Sequence, residues 1–150
     1  MLTELLIAGG IVAVCVVIHV TGILLLAQRL LKHRARLERQ SGLLDYALLL
    51  IVVFSIIILL HLIETALWAI FYQWQHLFRN FETSLYFSLG SYTTIGYGDV
   101  VLPQRWRLLG GIEGVSGVLL CGLSTAFIFV IVNALFEIHQ QRQAALTCQN

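Results

Sequence analysis

Three apolar runs, at roughly residues 5–27, 43–72 and 106–136, constrain this chain more than any other feature. Each is long enough to cross a bilayer. At about 1.5 Å per helical residue, 23 residues reach roughly 34 Å, against a hydrocarbon core of about 30 Å. Backbone in lipid must satisfy its own polar groups, so such runs cross as helices. Composition closes the soluble alternative. Hydrophobic residues make up 59% of the 150 and charged residues 11%, against about 25% charged in soluble domains. A soluble fold of this size has too little interior to hide that much apolar surface. The net charge of +1 points to no nucleic-acid partner. With one proline, no repeat and no low-complexity tract, the chain reads as one domain. Cys15, Cys121 and Cys148 lie far apart in no metal-binding spacing and read as small hydrophobes.

The first run carries His19 and no charged residue. It is too long for a signal-peptide core and has Glu4 but no Lys or Arg before it, so residues 1–28 read as a retained transmembrane helix. Arg29, Lys32, Arg34, Arg36 and Arg39 follow, opposed only by Glu38. Residues 29–42 are therefore expected to form a basic cytoplasmic loop, with anionic lipid headgroups as potential contacts for 29–39. Ser41-Gly42 can cap a second helix, with Asp45 in its first turn. That outer helix, 43–73, ends in the aromatic belt Trp68, Phe71, Tyr72 and Trp74. A short helix is expected over 80–93, with Asn80 as N-cap and Glu82 in the first turn. Thr94-Ile95-Gly96-Tyr97-Gly98-Asp99 cannot cheaply continue it, because two glycines flank one aromatic. An inner helix over 105–138 and a short tail over 139–150 complete the chain. With the basic loop inside, the N-terminus is expected outside and the C-terminus in the cytoplasm.

The hexapeptide Thr94–Asp99 resembles the filter signature T-[VI]-G-Y-G-D of the potassium channel superfamily, and the segment SLGSYTTIGYGDV is similar to the pore loops of small bacterial ion channels. All six positions match, and the likeness covers roughly 44–138, leaving out the first helix. It implies an all-α membrane protein: three transmembrane helices, a re-entrant pore helix and a filter loop, assembled as a homotetramer around one pore. By this resemblance the carbonyls of Thr94, Ile95, Gly96 and Tyr97 replace the water shell of K⁺, with Gly98 completing the strand. The Thr94 hydroxyl adds a lower ring, and Asp99 sits at the outer mouth. Ile95 and Tyr97 turn away from the axis, against the pore helix. Thr93 ends that helix, whose negative dipole end would face a central cation.

Several positions depart from the family. Many members carry a Glu four residues before the filter Thr, where this chain has Gly90. The frequent aromatic pair of the pore helix is Tyr86-Phe87, of which only Tyr86 can donate a hydrogen bond. Glu113 lies about two turns inside the third run, where an ionised carboxylate is costly. It is expected to bond His61 or a pore-helix hydroxyl (Ser84, Ser88 or Ser91) in place of the missing Glu; the alternative is a side chain that snorkels to water. Glu64 reads as reaching the outer interface and His19 as a helix-packing hydrogen bond. Gly117 or Gly122 falls near the family's inner-helix hinge. Ala126, Val130 and Ala134 repeat every four residues and are placed toward the pore as a narrow apolar gate. No helix carries Arg at every third position, so no voltage sensor is expected. The tail is too short for a ligand-binding domain. The first helix is placed at the periphery, packing on the second.

The sequence thus reads as a subunit of a potassium-selective channel in the cell inner membrane. It is not an enzyme, needs no cofactor beyond the K⁺ ions in transit, and has lipids and three further copies of itself as partners. The alternatives are a non-conducting regulatory subunit that keeps the pore fold, and a non-selective cation channel.

Overall fold

The computed structural model describes residues 2–40 and 42–147, with side chains for 2–32 and 42–144. It is all-helical, with no strand among the described residues. The helices are α1 (Leu2–Gln40), α2 (Leu43–Trp74), α3 (Phe81–Tyr92) and α4 (Arg107–Thr147), the last entered through a 3-10 turn at Gln104–Trp106. Three of them, α1, α2 and α4, are long and apolar enough to cross a membrane. Only α3 is short, at 12 residues.

Two expected boundaries shift outward. The basic stretch is not a loop, because α1 runs unbroken to Gln40. Residues 29–40 hold no Gly or Pro and are rich in Leu, Arg, Lys, Ala, Glu and Gln, all good helix formers. For the same reason α4 continues through the expected tail to Thr147. The side-chain contacts expected of Arg34, Arg36 and Arg39, the Ser41 cap and Cys148 lie outside the described residues. At the start of α2 the Gly42 N–H donates to Asp45 Oδ2 at 2.7 Å, so the first-turn carboxylate closes the cap.

Inside the bundle, two apolar clusters sit at either end. Ala8, Cys15, Trp68, Phe71, Tyr72, Leu109 and Leu120 pack at the end where α4 begins. Leu26, Tyr46, Val53, Ile57, Ile131, Leu135 and Ile138 pack at the other. Between them lies a layer of buried polar side chains that includes His19, Glu64, Ser88, Glu113 and Ser124. The first helix packs on α4 as well as on α2. Glu4 at its start meets Arg105 Nε at 2.6 Å, and Gly22 lets Leu60 of α2 approach so closely that a Cβ would meet its methyls at 2.7 Å.

Candidate functional site

The loop after α3 carries an unusual backbone. Asn80 starts α3 as its N-cap, with Oδ1 accepting the Thr83 N–H at 2.8 Å. The helix ends at Tyr92, and Thr93 caps it with its N–H and its hydroxyl both on the Leu89 carbonyl, at 3.1 and 2.6 Å. From there φ is +59° at Thr94, +49° at Gly96 and +79° at Gly98, whereas Ile95 and Tyr97 keep negative φ. Glycine takes the left-handed region freely; Thr94 does so at a cost, which surrounding contacts must hold. Its N–H bonds the Ser91 carbonyl and that of Gly96 bonds the Gly90 carbonyl, both at 3.0 Å. In ordinary extended chain, successive peptide planes face opposite ways. A left-handed φ at every second residue breaks that alternation.

The far end of the loop, at residues 97–99, is braced by α3. The Tyr86 hydroxyl donates to Asp99 Oδ2 at 2.9 Å, and the Tyr86 and Tyr97 rings stack at 6.2 Å and 11°. The bond to the Asp99 carboxylate holds the Tyr86 phenol above its ordinary pKa, with desolvation adding to the effect. Phe87, which has no donor, packs on Tyr72 and Phe78 instead, with its ring tip over Gly110. Gly90 leaves a small cavity behind the loop, bordered by Tyr86, Gly96, Gly98 and Asp99. A side chain is absent where relatives by resemblance carry Glu, but the Gly90 carbonyl still holds Gly96.

Glu113 is fully buried and does not snorkel. Its Oε2 accepts from the Tyr72 hydroxyl at 2.7 Å, and its Oε1 contacts the Ser88 hydroxyl on α3. Of the partners expected for it, the structure selects Ser88 and not His61, Ser84 or Ser91. Ser88 also donates to the Thr65 carbonyl at 2.8 Å. One hydroxyl proton cannot serve both acceptors, so the hydrogen count closes when Glu113 is the protonated acid. The carboxyl thereby ties α2, α3 and α4 together behind the loop.

His61 belongs to a second cluster. Its Nδ1 lies 2.8 Å from the Tyr92 hydroxyl and its Nε2 3.1 Å from Ser124 Oγ. Glu64 is completely buried, which corrects the expectation that it reaches the interface. It accepts from Tyr92 and sits 2.8 Å from His19 Nδ1. His19 does make the packing hydrogen bond expected of it, and a second one to Ser124. Sequence reasoning missed Tyr72, Tyr92 and Ser124. The available signal was a set of polar residues on lipid-spanning helices, each of which must find a partner.

On α4, Gly117 is not free to act as a simple hinge. A Cβ there would lie 2.1 Å from the Tyr92 carbonyl oxygen, and one on Gly114 would lie 3.0 Å from that of Ser91. These two glycines seat the end of α3, whereas Gly122 has nothing within 4 Å. Val130 and Ala134 line an apolar groove with Ala27, Leu30 and Leu31, which turns them toward α1; Ala126 is exposed.

The model of a protein family described as an ion channel matches residues 46–134 of the chain, from early α2 to late α4. That stretch contains α3, the 94–99 loop, Glu113 and the His61–Glu64 cluster, but not α1. No curated protein and no solved structure matches the chain.

Proposed function

The chain belongs to that ion channel family, and from this premise we propose that it is a potassium-selective subunit conducting K⁺ passively through a filter formed by residues 94–98. One observation carries the reading: positive φ at 94, 96 and 98 alternates with negative φ at 95 and 97. A run of carbonyls brought to one side offers a dehydrated cation the oxygens it loses with its water. The Gly90 and Ser91 carbonyls, which take the N–H groups of Gly96 and Thr94, support that assignment. Asp99, held by Tyr86, would raise the cation concentration at the outer mouth.

One chain supplies one strand of oxygens, so four copies around an axis complete the site. Ile95 and Tyr97 are 58% and 71% exposed in the single chain. Val115, Val118 and Leu119 lie exposed on α4 beside the loop. A neighbouring copy would cover these apolar side chains. In the proposed topology the start of α1 and the 94–99 loop face outward, and the basic end of α1, including Arg29 and Lys32, meets anionic lipid in the cytoplasmic leaflet.

The test is flux from proteoliposomes holding a verified tetramer, with K⁺ compared against Na⁺. K⁺ efflux at least tenfold faster than Na⁺ efflux supports the reading. Equal rates identify a non-selective cation pore, and no flux identifies a silent subunit; either result overturns potassium selectivity.

A further inference from the structure

Five side chains from all four helices close a hydrogen-bonded ring at the heart of the bundle. His19 Nδ1 meets Glu64 Oε1 at 2.8 Å, and His19 Nε2 meets Ser124 Oγ at 2.9 Å. His61 Nε2 reaches the same Ser124 Oγ at 3.1 Å, and His61 Nδ1 reaches the Tyr92 hydroxyl at 2.8 Å. Tyr92 closes the ring on Glu64 Oε2. His19 and Glu64 are wholly buried, Ser124 and Tyr92 nearly so, and His61 keeps 18% of its side chain exposed.

The orientation of the imidazoles is the informative feature. Both turn Nδ1 toward the Glu64 carboxylate, at 2.8 and 3.4 Å, and both turn Nε2 toward one shared hydroxyl. Simple packing does not require this match. A metal site does: one ring nitrogen is left bare for the cation, while the other donates to an outer acceptor that fixes tautomer and ring angle. Ser124 has two lone pairs for two such N–H groups. One donor atom each from His19, His61 and Glu64 lies within 4.8 Å of the others. Ligand atoms around a four-coordinate cation, with bonds of about 2.0–2.1 Å, stand roughly 3.3–3.4 Å apart. The His19 Nδ1–Glu64 Oε1 pair at 2.8 Å would widen by about half an ångström to reach that spacing, and the His61 Nδ1–Glu64 Oε2 pair at 3.4 Å already has it.

We propose that His19 Nδ1, His61 Nδ1 and a Glu64 oxygen, with the Tyr92 oxygen as fourth ligand, bind a divalent transition cation of the Zn²⁺ class. Two imidazoles with two anionic oxygens favour zinc or its neighbours over Mg²⁺ and Ca²⁺, which take all-oxygen shells. Charge also balances. Hydrogen-bonding all five links of the metal-free ring takes five protons at zero net charge. With the cation bound, Glu64 and Tyr92 carry one negative charge each, the two Nε2–H groups and the Ser124 hydroxyl keep three protons, and two protons leave. The site is then neutral in a low-dielectric interior, where an uncompensated charge would be costly. Cys121 Sγ stands 4.0 Å from His61 Nε2, on the outer-acceptor side, and is not a ligand. The cation would pin Tyr92, two residues before Thr94, to α1, giving that helix a role the channel family match does not reach. The site does not depend on which ion the pore passes.

The test uses chelator-stripped full-length protein in detergent, titrated with Co²⁺ and then Zn²⁺. One Co²⁺ per chain should bind with the visible bands of a four-coordinate ion and no thiolate charge-transfer band. Zn²⁺ should erase those bands, each zinc bound to stripped protein should release two protons, and millimolar Mg²⁺ should do nothing. Ser124→Ala should weaken binding by about 10–100-fold, and Glu64→Gln or His19→Gln by more. Tyr92→Phe should bind more weakly and release one proton. His76→Ala, His139→Ala and Cys121→Ser should bind as wild type. A six-coordinate Co²⁺ spectrum on the unaltered protein, which needs no variant to fold, overturns the proposal. So does binding that survives Glu64→Gln unchanged.

Discussion

Gly117→Ala should loosen the mount of the 94–99 loop, because this glycine is the floor on which α3 ends. The added Cβ would stand 2.1 Å from the Tyr92 carbonyl oxygen and 3.0 Å from both its carbonyl carbon and its Cδ1. Ordinary contact begins near 3.5 Å, so α3 and α4 must separate by about 1–1.5 Å. Tyr92 cannot swing aside alone, since its hydroxyl is held by Glu64 and His61. Overpacking of this kind costs about 1–3 kcal/mol, and a backbone obstacle with an anchored side chain belongs at the upper end. Alanine returns about 0.8–1.0 kcal/mol of helix propensity, leaving a net loss of roughly 2 kcal/mol. Gly9→Ala on α1 is the control, because nothing lies within 4 Å of its Cβ and only the propensity gain applies. Thermal unfolding in detergent should show Gly117→Ala melting below wild type and Gly9→Ala at or above it. On the proposed reading of the loop as a selectivity filter, the K⁺/Na⁺ flux ratio in liposomes should fall only in Gly117→Ala, as the displacement reaches Thr94 two residues on. A Gly117→Ala protein as stable and as selective as wild type would refute the close seat of α3 on α4.

Glu113→Gln should be nearly silent, because the amide can accept from Tyr72 and donate to Ser88 as the protonated acid does; Glu113→Leu should cost about 1–3 kcal/mol by stranding the buried Tyr72 hydroxyl. Thermal melts of the pair separate the cases, and a Gln variant as damaged as the Leu variant would show that Glu113 works as an anion. Tyr86→Phe should lower the stability of the 97–99 end of the loop, read as faster loss of ion flux on heating, since it frees Asp99. The Tyr86 phenol titrates above its unfolded value, so the stability it adds is complete below that value and fades as pH rises through the folded one. The variant should therefore lose the alkaline part of the wild-type pH dependence, and an identical pH profile would contradict the bond. Arg105→Ala should reduce thermal stability slightly and in a salt-sensitive way, because the Glu4–Arg105 pair ties α1 to α4 at one end; identical melts at low and high salt would show that the pair adds nothing.

The sequence by itself determined the three spanning helices, because lipid leaves a long apolar run no other way to satisfy its backbone. It determined the short α3 through the Asn80 cap, and the break at 94–99 through two glycines flanking Tyr97. It misjudged where α1 and α4 stop, since no breaker stands at the ends expected near residues 28 and 138 and the basic stretch was read as a loop. Only the tertiary structure decided what the buried polar residues do. His19 finds Glu64 45 positions away and Ser124 105 positions away. Such pairs depend on each helix's rotation and depth, which period and propensity leave free. The same holds for Gly117: one sequence position permits either a bend or a close approach, and the choice was made by the carbonyl that packs against it.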